Sequence, residues 1–528
     1  MCEDAVIAKR DAILAAELGA DLVEYRVDRM FQGEGDDEGQ RAILELVADS
    51  PLPCIVTCRP TFEGGEYDGD DSARISLYEA LGTSDQPPRY IDVELQTYQR
   101  SANLRQKVHL AVDHDGQHRE MRTSLILSSH DFEKRPDDLM QKRISMSESS
   151  AAKVSKFAFR ARSVRDNLEL FEMLRERDRP TIALGMGEAG LMSRVLAPKF
   201  GGFLTFASLR DESATAPGQP TLDELLTRYR FRSIGPSTKV FGVVGWPVGH
   251  SKSPDIHNAG FEEIGFDGVY LPIPVPAEWE HFKATVLALL EDAPLDLSGL
   301  SVTIPHKRHA IRLARELGWA VDPIAERAGA ANTITKRADG TIAVSNTDGI
   351  AAVACLRETM ARPLEGSRLA IIGAGGVARG IASALADSGA AVAVFNRTVE
   401  NAEALVRDLH DSLTNGTALK AGPLDGLEGE THDAYINATS LGMEGGPDPS
   451  SSPVSDRYTR TLESRTVFLD TVYTPVDTPF LRRARSCGLQ TIDGEQMFLR
   501  QAAAQFEQWT GSAAPLSAFE KALRATNS

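Results

Sequence analysis

The chain has 528 residues, of which 42% are hydrophobic and 25% charged, values typical of a globular protein with two or three domains. Its formal net charge of −18 argues against nucleic acid or an anionic membrane as a partner, because phosphate-binding surfaces need clustered lysine and arginine. The sequence has no apolar run of about 18 residues and no apolar N-terminal segment, so it predicts neither a membrane span nor secretion.

The cysteines are scattered along the chain and lack the spacing of a disulfide framework. Two of them share a predicted strand, but no further ligand residues accompany them, so no metal site is predicted. The sequence therefore indicates reduced thiols in a cytoplasmic protein. The cysteines are Cys2, Cys54, Cys58, Cys355 and Cys487.

Short apolar strands alternate with helical stretches through the first half of the chain. Side chains alternate along each strand, so that Glu24, Arg26 and Asp28 point away from Val23 and Val27. Polar side chains inside, near the carboxyl ends of strands, are typical of a catalytic (β/α)8 barrel, although an open doubly wound sheet shows the same pattern. The predicted strands are 21–28, 54–59, 90–95, 123–130, 153–159, 181–186 and 203–209.

These are seven strands, and an eight-stranded barrel requires one more ahead of the predicted helix at 4–19. Only three residues precede that helix. We therefore expect a TIM barrel whose first strand is missing, with two alternatives. Either the natural start lies upstream, or the barrel has an open seam between its second and eighth strands, which leaves ladder donors and acceptors unpaired.

Lys156 lies in the apolar strand KVSKFAF, where a buried amine is costly unless it is neutral or paired. A deprotonated lysine can form a Schiff base with a ketone and make the carbonyl an electron sink for proton loss at the adjacent carbon. His130 ends the preceding strand and suits proton transfer, with Glu63 as a candidate to orient its ring. The alternative is a structural lysine among ion pairs. Three arginines are candidates for binding substrate oxygens: Arg26, Arg59 and Arg194.

The first half resembles the type I 3-dehydroquinate dehydratases over nearly all of residues 21–220. The motifs that carry the resemblance are VEYRVD, TCRPTFEGGEYDGDD, IDVEL, SSHDF, the Lys156 strand, MGEAGLMSRV and ATAPGQP. The resemblance implies a barrel domain over 1–232, with Lys156 as the Schiff-base lysine, His130 as the acid and base, and Glu63 as its carboxylate partner. It implies substrate binding by Glu24, Arg26, Arg59, Arg194, Thr215 and Gln219, where Thr215 replaces the serine of many relatives and keeps the hydroxyl.

A Gly-, Pro- and Ser-containing segment at 231–240 marks the predicted domain boundary, and a dinucleotide-binding pattern lies beyond it. The run Gly373, Ala374, Gly375 and Gly376 follows the strand RLAII and opens a helix, as pyrophosphate binding requires. The next strand ends in Asn396, Arg397 and Thr398, where arginine favours the 2′-phosphate of NADP over NAD. The alternative is a surface arginine on a βαβ unit that binds no nucleotide.

Four polar motifs precede this unit: GHSKSP (249–254), SVTIPHK (301–307), GAANTI (329–334) and NTDG (346–349). Lys307 and Asp348 form a candidate proton-transfer pair for a carbonyl reduced by hydride. The histidines here, His250, His257 and His306, are interpreted as loop or capping residues because no metal-ligand spacing unites them. The candidates for binding hydroxyls and a carboxylate are Ser251, Ser253, Thr303 and Asn332.

With NATSLGM (437–443), DTVYTPVDTPFL (470–481) and DGEQMFLRQAAAQFEQWTG (493–511), these motifs resemble shikimate dehydrogenases over 240–511. The resemblance implies a substrate-binding domain over 239–352, completed by 490–528, and a Rossmann NADP-binding domain over 353–489. Lys307 and Asp348 are then the catalytic pair. Tyr473 and Gln501 complete the substrate site, and Gly494 and Met497 flank the nicotinamide.

Two departures from the dehydrogenase pattern affect specificity. Ser301 replaces an asparagine, and Asn401 replaces a basic residue often found after N-R-T, which weakens the expected NADP preference. The Ser251-x-Ser253 pair favours shikimate over quinate.

The whole chain therefore resembles the fused dehydratase–dehydrogenase enzymes of aromatic amino-acid biosynthesis. The expected reactions are dehydration of 3-dehydroquinate and NADPH-dependent reduction of 3-dehydroshikimate, with small molecules as the only predicted partners. Two alternatives stay open: a dehydrogenase that uses quinate, and a chain in which only the dehydrogenase is active and the barrel is a binding or regulatory module.

Overall fold

The computed structural model of the protein describes residues 2–112, 122–210, 215–411 and 417–525. The chain divides into two compact units, Met1–Thr238 and Lys239–Ser528. Within the described ranges, none of the helices has the length and apolar character needed to cross a membrane.

The first unit contains one sheet of six parallel strands, each paired with the next in chain order. The strands are β1 (Val23–Arg26), β2 (Cys54–Thr57), β3 (Tyr90–Glu94), β4 (Ser124–Asp131), β5 (Ala152–Arg160) and β6 (Thr181–Met186). Helices connect them, as in a (β/α)8 barrel. They are α1 (Ala5–Glu17), α2 (Asp37–Ala48), α3 (Asp71–Thr83), α4 (Leu95–Arg100), α5 (Ala102–Val112), α6 (Leu139–Ser147), α7 (Asp166–Arg175) and α8 (Leu191–Val195).

Five of these strands, β2 to β6, contribute side chains to a common apolar core. Residues of successive strands meet there, together with residues that precede β1 and follow β6, so the sheet curls around its own interior. The core consists of Ile55, Tyr90, Ile126, Val154, Ile182 and Leu184, against which Leu22, Leu204 and Phe206 pack. The next inward positions along β1 to β5 are polar, in agreement with the predicted alternation.

The predicted strand at 203–209 is wrong. This segment makes one isolated bridge, between Ser208 and Thr221, and Phe203 donates its N–H to the carbonyl of Thr181 at 2.9 Å. A ladder needs a neighbouring strand in register along its length. Between this segment and β1 lies a cavity of about 900 Å³, so one edge of the segment has no adjacent strand among the described residues.

The second unit begins with a mixed sheet in the order β10-β12-β11-β9-β7-β8. Its strands are β7 (Lys239–Gly245), β8 (Gly268–Pro274), β9 (Leu297–Val302), β10 (Ala320–Val321), β11 (Thr333–Lys336) and β12 (Ile342–Ser345). The helices of this part are α9 (Ser253–Glu263), α10 (Trp279–Glu291), α11 (Lys307–Leu317), α12 (Pro323–Ala328) and α13 (Thr347–Thr359).

A second, fully parallel sheet follows, in the order β15-β14-β13-β16-β17-β18. In chain order this is 3-2-1-4-5-6, the order of the doubly wound dinucleotide-binding fold. The strands are β13 (Arg368–Ile372), β14 (Ala391–Asn396), β15 (Leu419–Pro423), β16 (Ala434–Asn437), β17 (Val467–Asp470) and β18 (Gln490–Ile492). The helices are α14 (Gly376–Asp387), α15 (Val399–His410), α16 (Asp456–Thr459) and α17 (Pro479–Ser486).

The last two helices, α18 (Gly494–Thr510) and α19 (Leu516–Ala525), return to the mixed sheet. Phe506 and Phe519 of these helices share an aromatic core with Phe241 of β7 and Phe261 of α9. The chain therefore crosses from the first sheet to the second and back, which places α18 beside both.

Candidate active sites

Lys156 lies in β5 with its side chain inside the barrel, and only 5% of the residue is exposed. Its Nζ donates to Asp92 Oδ2 at 2.8 Å and lies 3.8 Å from Glu24 Oε1. The nitrogen also lies 4.4 Å from the centre of the Phe206 ring, a cation–π distance. The lysine is therefore a buried cation with a carboxylate on one side and an aromatic face on the other.

Arg59 and Asp92 form the layer that holds this lysine. Arg59 bonds Asp92 Oδ1 at 2.9 Å, Glu94 Oε1 at 2.6 Å and Ser128 Oγ at 2.9 Å. Burial alone would raise the pKa of Asp92, but the charges of Arg59 and Lys156 hold it well below its usual range. Asp92 is thus an ionised carboxylate between two cations, a buried arrangement that needs all its partners.

His130 and Glu63 form a second pair at the carboxyl end of β4. Glu63 Oε2 accepts from the His130 backbone N–H at 3.0 Å and lies 2.9 Å from Nδ1. Burial, aided by Arg59 and Lys156, lowers the pKa of His130 well below its ordinary value. Burial raises the pKa of Glu63 to about 8. The imidazole is therefore neutral at pH 7, and an Nδ1–H bonded to Glu63 leaves Nε2 as the base.

The remaining predicted residues of the first site divide into two groups. Glu24, Arg26, Thr215 and Gln219 line one cavity, and the Thr215 hydroxyl donates to Gln219 Oε1 at 3.2 Å. Arg194 is not among the residues that line this cavity. Its Nε donates to the carbonyl of Gly185 at 3.1 Å, and burial lowers its pKa to about 10.

Arg26 is directed by a partner that the sequence interpretation left out. It bonds Asp28 through two nitrogens, at 3.2 and 2.6 Å, and Asp28 also accepts from the Arg59 backbone N–H at 2.9 Å. Asp92, Glu94 and Ser128 were missed as site residues in the same way. Their inward parity was a sufficient signal. Ser128 pairs directly with Lys156, and Glu94 and Asp92 lie one and two alternations from the level of His130 on the neighbouring strand.

In the second unit, Lys307 opens α11 and Asp348 lies in the first turn of α13. Lys307 Nζ donates to Asp348 Oδ2 at 2.5 Å, and both residues are buried. The other carboxylate oxygen accepts from Asn332 Nδ2 at 3.0 Å. The structure therefore joins the predicted pair directly, and the Asn332 amide fixes the carboxylate orientation.

Asn332 connects this pair to α18. Its amide also lies 3.4 Å from Gln501 Oε1, while its own carbonyl side chain accepts from the Thr347 N–H at 2.8 Å. Two predicted substrate residues, Asn332 and Gln501, thus form one hydrogen-bonded group with Asp348 of the catalytic pair.

The remaining substrate candidates lie at the ends of neighbouring elements. Ser251 Oγ accepts from the Ser253 N–H at 3.3 Å, and Thr303 is held by its N–H to the Val244 carbonyl at 2.9 Å. Tyr473 stacks on Phe498 of α18, with ring centres 5.0 Å apart.

A buried chain of hydrogen bonds, not predicted from the sequence, ends at the backbone of Asn332 and holds that residue in place. The Tyr270 hydroxyl donates to Ser301 Oγ at 2.6 Å, and Ser301 donates to Gln505 Oε1 at 2.8 Å. Gln505 in turn donates to the Asn332 carbonyl at 3.0 Å. Ser301, noted in the sequence as a departure, therefore links β8 to α18.

The dinucleotide turn follows β13 at the switch point between β13 and β16. Gly373 has φ of 109°, and a Cβ there would lie 2.8 Å from the Ala438 carbonyl, so only glycine fits. A Cβ on Gly375 would meet no atom within 4 Å, which leaves open space at the helix start. The turn and the N-terminus of α14 therefore fit a pyrophosphate.

The catalytic pair lies next to this turn. A Cβ built on Gly376 would lie 3.2 Å from Lys307 Cδ, so the lysine stem packs against the first residue of α14. Gly494 and Met497 open α18, and a Cβ on Gly494 would lie 2.1 Å from the Val472 carbonyl. The Lys307 stem therefore packs against the dinucleotide turn, and the start of α18 packs against the backbone that follows β17.

The β14 end carries the residues predicted to select the cofactor. Asn396 donates from its amide to the Thr398 carbonyl at 2.8 Å, which shapes the turn, and Arg397 is exposed beside it. An exposed guanidinium has the hydrogen-bonding geometry that a phosphate ester requires.

Two of the three histidines interpreted as non-catalytic, His306 and His257, contact backbone or aromatic groups of the protein. His306 precedes α11 and bonds the Val275 carbonyl at 2.8 Å, and His257 stacks on Tyr270 with ring centres 4.5 Å apart. Among the described residues, no group of three or more His, Cys, Asp or Glu side chains is arranged to hold a metal ion.

Comparison with protein families divides the chain in the same order. Residues 1–236 match the family described as type I 3-dehydroquinase, and residues 243–334 match the shikimate dehydrogenase substrate binding domain. Residues 356–432 match shikimate/quinate 5-dehydrogenase, and residues 494–524 match the shikimate 5′-dehydrogenase C-terminal domain.

Individual relatives agree with these matches. The chain is 36% identical over 518 residues to the chloroplastic bifunctional 3-dehydroquinate dehydratase/shikimate dehydrogenase of Arabidopsis thaliana, covering 95% of this chain and 79% of the relative. It is 37% identical over 287 residues to the NADP(+) shikimate dehydrogenase of Methanosarcina barkeri, covering 54% and 97%. A shikimate dehydrogenase crystallised with NADP+ matches with a TM-score of 0.50 and 33% identity, covering 56% of this chain and 98% of that chain.

The fold and the two sites define a fusion of a lysine-centred barrel lyase with a dinucleotide-dependent oxidoreductase. The chain belongs to the family of bifunctional 3-dehydroquinate dehydratase/shikimate dehydrogenases, enzymes of the shikimate pathway of aromatic biosynthesis. Both halves of that family are present, including the barrel and the Rossmann-type sheet predicted from the sequence.

Proposed function

We propose that this chain converts 3-dehydroquinate to 3-dehydroshikimate in its first unit and reduces 3-dehydroshikimate to shikimate with NADPH in its second. The observation that carries the proposal is the pairing within each site. Lys156 lies 2.8 Å from Asp92 in one, and Lys307 lies 2.5 Å from Asp348 in the other. The proposed domains are 1–232, 239–352 completed by 490–528, and 353–489.

In the proposed dehydration, the Lys156 ammonium passes one proton to the ketone oxygen and the freed amine attacks the carbonyl carbon. The oxygen then leaves as water with a second proton from the nitrogen, and an iminium remains. Nε2 of His130 then takes a proton from the adjacent carbon, because Nδ1 is occupied by Glu63 at 2.9 Å. The electron pair moves into the iminium, the protonated His130 returns its proton to the β-hydroxyl, which leaves as water, and hydrolysis of the iminium restores the lysine.

Asp92 fits the role of counter-ion in this sequence. The positive charge of the lysine ammonium passes to the iminium at nearly the same place, 2.8 Å from the carboxylate. A fixed buried anion stabilises a cation formed during the reaction without reorganisation. Guanidinium, hydroxyl, amide and carboxylate groups can bind the carboxylate and hydroxyls of the substrate, which supports the remaining proposed contacts. These are Glu24, Arg26, Arg59, Arg194, Thr215 and Gln219.

In the proposed reduction, NADPH supplies the hydride when bound. Lys307, held by Asp348, donates a proton to the developing alkoxide oxygen, and Asn332 keeps Asp348 oriented at 3.0 Å. Ser251, Ser253, Thr303, Tyr473 and Gln501 are the proposed contacts to substrate hydroxyls and carboxylate. Gly373, Ala374, Gly375, Gly376, Asn396, Arg397, Thr398, Gly494 and Met497 are the proposed contacts to the cofactor.

Three finer assignments rest on side-chain chemistry. Arg397 supports NADP over NAD, and the Ser251-x-Ser253 pair supports shikimate over quinate. All five cysteines are free, which supports a reducing compartment such as the cytoplasm.

The test is to add dehydroquinate to the purified chain without cofactor, follow the conjugated enone at its absorbance band, and then add NADPH. Appearance of the enone followed by its consumption supports both activities. If no enone forms but supplied dehydroshikimate oxidises NADPH, the barrel is a binding or regulatory module, the reading favoured by the gap beside β1. If the chain oxidises quinate faster than shikimate, the second unit is a quinate dehydrogenase instead of a shikimate dehydrogenase.

A further inference from the structure

Ser301 of β9 and Thr333 of β11 lie opposite each other on two antiparallel strands, and both are buried. The side-chain amide of Gln505, in α18, contacts both hydroxyls. Its Oε1 accepts from the Ser301 hydroxyl at 2.8 Å, and its Nε2 donates to the Thr333 hydroxyl at 2.9 Å. One buried amide, 172 residues beyond Thr333 in the sequence, therefore bridges a cross-strand pair.

The orientation of this amide is fixed by a group that has only one hydrogen-bonding role. Nε2 also faces the backbone carbonyl of Asn332 at 3.0 Å, and a carbonyl oxygen can only accept. Oε1 therefore faces Ser301, whose hydroxyl donates to it. The Ser301 oxygen in turn accepts from the Tyr270 hydroxyl at 2.6 Å. The Ser301 hydroxyl thus has one defined donor and one defined acceptor.

The Thr333 hydroxyl carries the bridge on to the side chain of Asn332. Because it accepts from Gln505, its own hydrogen serves a second bond, to Asn332 Oδ1 at 2.9 Å. The Thr347 backbone N–H donates to the same oxygen at 2.8 Å. With two donors on its oxygen, the Asn332 amide turns Nδ2 toward Asp348 Oδ1, at 3.0 Å. The reversed amide would place its oxygen against that carboxylate.

We propose that Gln505 is a positioning residue for carbonyl reduction in the second unit. Its amide directs the Thr333 hydroxyl toward Asn332, and Asn332 fixes the carboxylate that holds Lys307. Gln505 acts through these side chains and not through contact with the substrate. The effect on reduction rests on the proposed function, whereas the bridge between the two strands does not.

All donors in this row point in the same direction, and the row ends on a carboxylate. Buried hydrogen bonds that are aligned from donor to acceptor polarise one another, so the loss of one weakens the next. Removing the amide in the middle leaves the Ser301 hydroxyl without its acceptor, and a buried donor without a partner is costly. In order, the row consists of Tyr270, Ser301, Gln505, Thr333, Asn332 and Asp348.

Gln505→Met tests the positioning role, because methionine keeps an unbranched side chain of similar length without the amide. We expect kcat for dehydroshikimate reduction to fall by about tenfold, as for the loss of one hydrogen bond. The pH profile of kcat should shift in the same direction as for Asp348→Asn. The matched control is Gln508→Met in the same helix, since Gln508 bonds the Ser345 hydroxyl at the surface at 2.8 Å. This control should change neither quantity.

A second set of variants moves the amide from the helix to the strand. Opposed Cβ atoms on antiparallel strands lie about 4.5–5.5 Å apart, so an asparagine at position 301 reaches the Thr333 hydroxyl once Gln505 is shortened. Ser301→Asn alone overpacks the buried site, and Gln505→Ala alone opens a cavity. The double variant should therefore exceed both single variants in kcat and in the urea midpoint, followed by the tryptophan fluorescence of the second unit.

Recovery of both quantities in the double variant supports the bridge and the positioning role. A double variant that is no more stable than Gln505→Ala overturns the bridge. Recovery of the midpoint, with kcat and its pH profile in Gln505→Met equal to wild type, overturns the positioning role and makes the bridge purely structural. If the midpoint recovers but the wild-type chain reduces no dehydroshikimate, the bridge stands and the proposed reduction is wrong.

Discussion

Asp92 binds Lys156 at 2.8 Å through one carboxylate oxygen and Arg59 at 2.9 Å through the other. Three charged groups thus form a buried row in which the anion lies between two cations. Removing the lysine charge leaves Asp92 paired with Arg59, whereas removing Asp92 leaves two buried cations facing each other. The row therefore predicts different results for substitutions at its two ends and at its centre.

At the lysine end, Lys156→Ala should abolish dehydration because no other described amine lies at the site. Reduction of supplied dehydroshikimate should be unchanged. The matched control is Lys153→Ala, which removes an exposed lysine from the same strand. Enone formation and NADPH oxidation are measured on each variant. Undiminished dehydration by Lys156→Ala contradicts the barrel assignment.

At the centre, Asp92→Asn should destabilise the barrel by about 3–5 kcal/mol, the usual result of breaking a buried pair. It should also slow borohydride trapping of the dehydroquinate imine, because the iminium loses its counter-ion. The second readout separates a counter-ion from a merely structural carboxylate. Asp92→Glu, which keeps the charge, should recover part of the trapping rate. Ser128→Ala is the control, since the Ser128 hydroxyl bonds the same carboxylate at 2.5 Å through Oδ1, whereas the lysine bonds Oδ2.

The parity of the barrel strands made most of this cluster predictable. Side chains two residues apart on a strand share a face, and parallel neighbours place those faces side by side, so Glu24, Arg59 and Lys156 had to converge. Which carboxylate pairs with the lysine could not be predicted, because Glu24 and Asp92 have the same parity. Distances of 3.8 and 2.8 Å decide between them only in three dimensions.

Other features depend on contacts between residues far apart in the sequence, which local sequence patterns do not reveal. The segment 203–209 has a strand sequence, but among the described residues it forms only an isolated bridge and no ladder, so its composition predicted the wrong element. Ser301 bonds Gln505, 204 residues away in sequence, and no periodicity relates the two. The dinucleotide turn was predictable because its requirements are local: a strand, a left-handed glycine and a helix start.

The Glu63 carboxyl predicts a pH dependence of barrel stability. Its pKa is raised from 4.5 to about 8 by burial, so between these values the folded state holds a proton that the unfolded state has released. Stability from this group therefore falls as pH rises from about 4.5 to about 8. Glu63→Gln lacks the titration and should become progressively more stable relative to wild type over that range.

All four tryptophans lie after residue 239, so tryptophan fluorescence does not report on the barrel. The midpoint for Glu63→Gln is best measured by far-UV circular dichroism in urea, with tryptophan fluorescence recording the second unit separately. A difference from wild type that is constant from pH 5 to pH 8 would show that Glu63 is ionised throughout.

Lys307→Ala and Asp348→Asn should each lower kcat for dehydroshikimate reduction by about 10²- to 10⁴-fold, the range for loss of a positioned proton donor. Dehydration should continue, and the enone should accumulate in the presence of NADPH. Lys283→Ala is the matched control, because Lys283 pairs with Glu316 at 2.9 Å on the surface. Asp348 acts through the lysine, so Asp348→Asn should keep some activity and shift the pH profile of kcat.

Arg397 lies exposed directly after β14, and it is the proposed contact for the 2′-phosphate. A charge-assisted hydrogen bond contributes about 1.5–3 kcal/mol, so Arg397→Ala should raise KM for NADPH by roughly 10- to 100-fold. KM for NADH should change little, because NADH has no 2′-phosphate to lose. Arg407→Ala, an exposed arginine of α15, controls for a general loss of positive charge. Equal effects of Arg397→Ala on both cofactors would place the arginine at the pyrophosphate or the adenine, and would remove the basis for NADP selectivity.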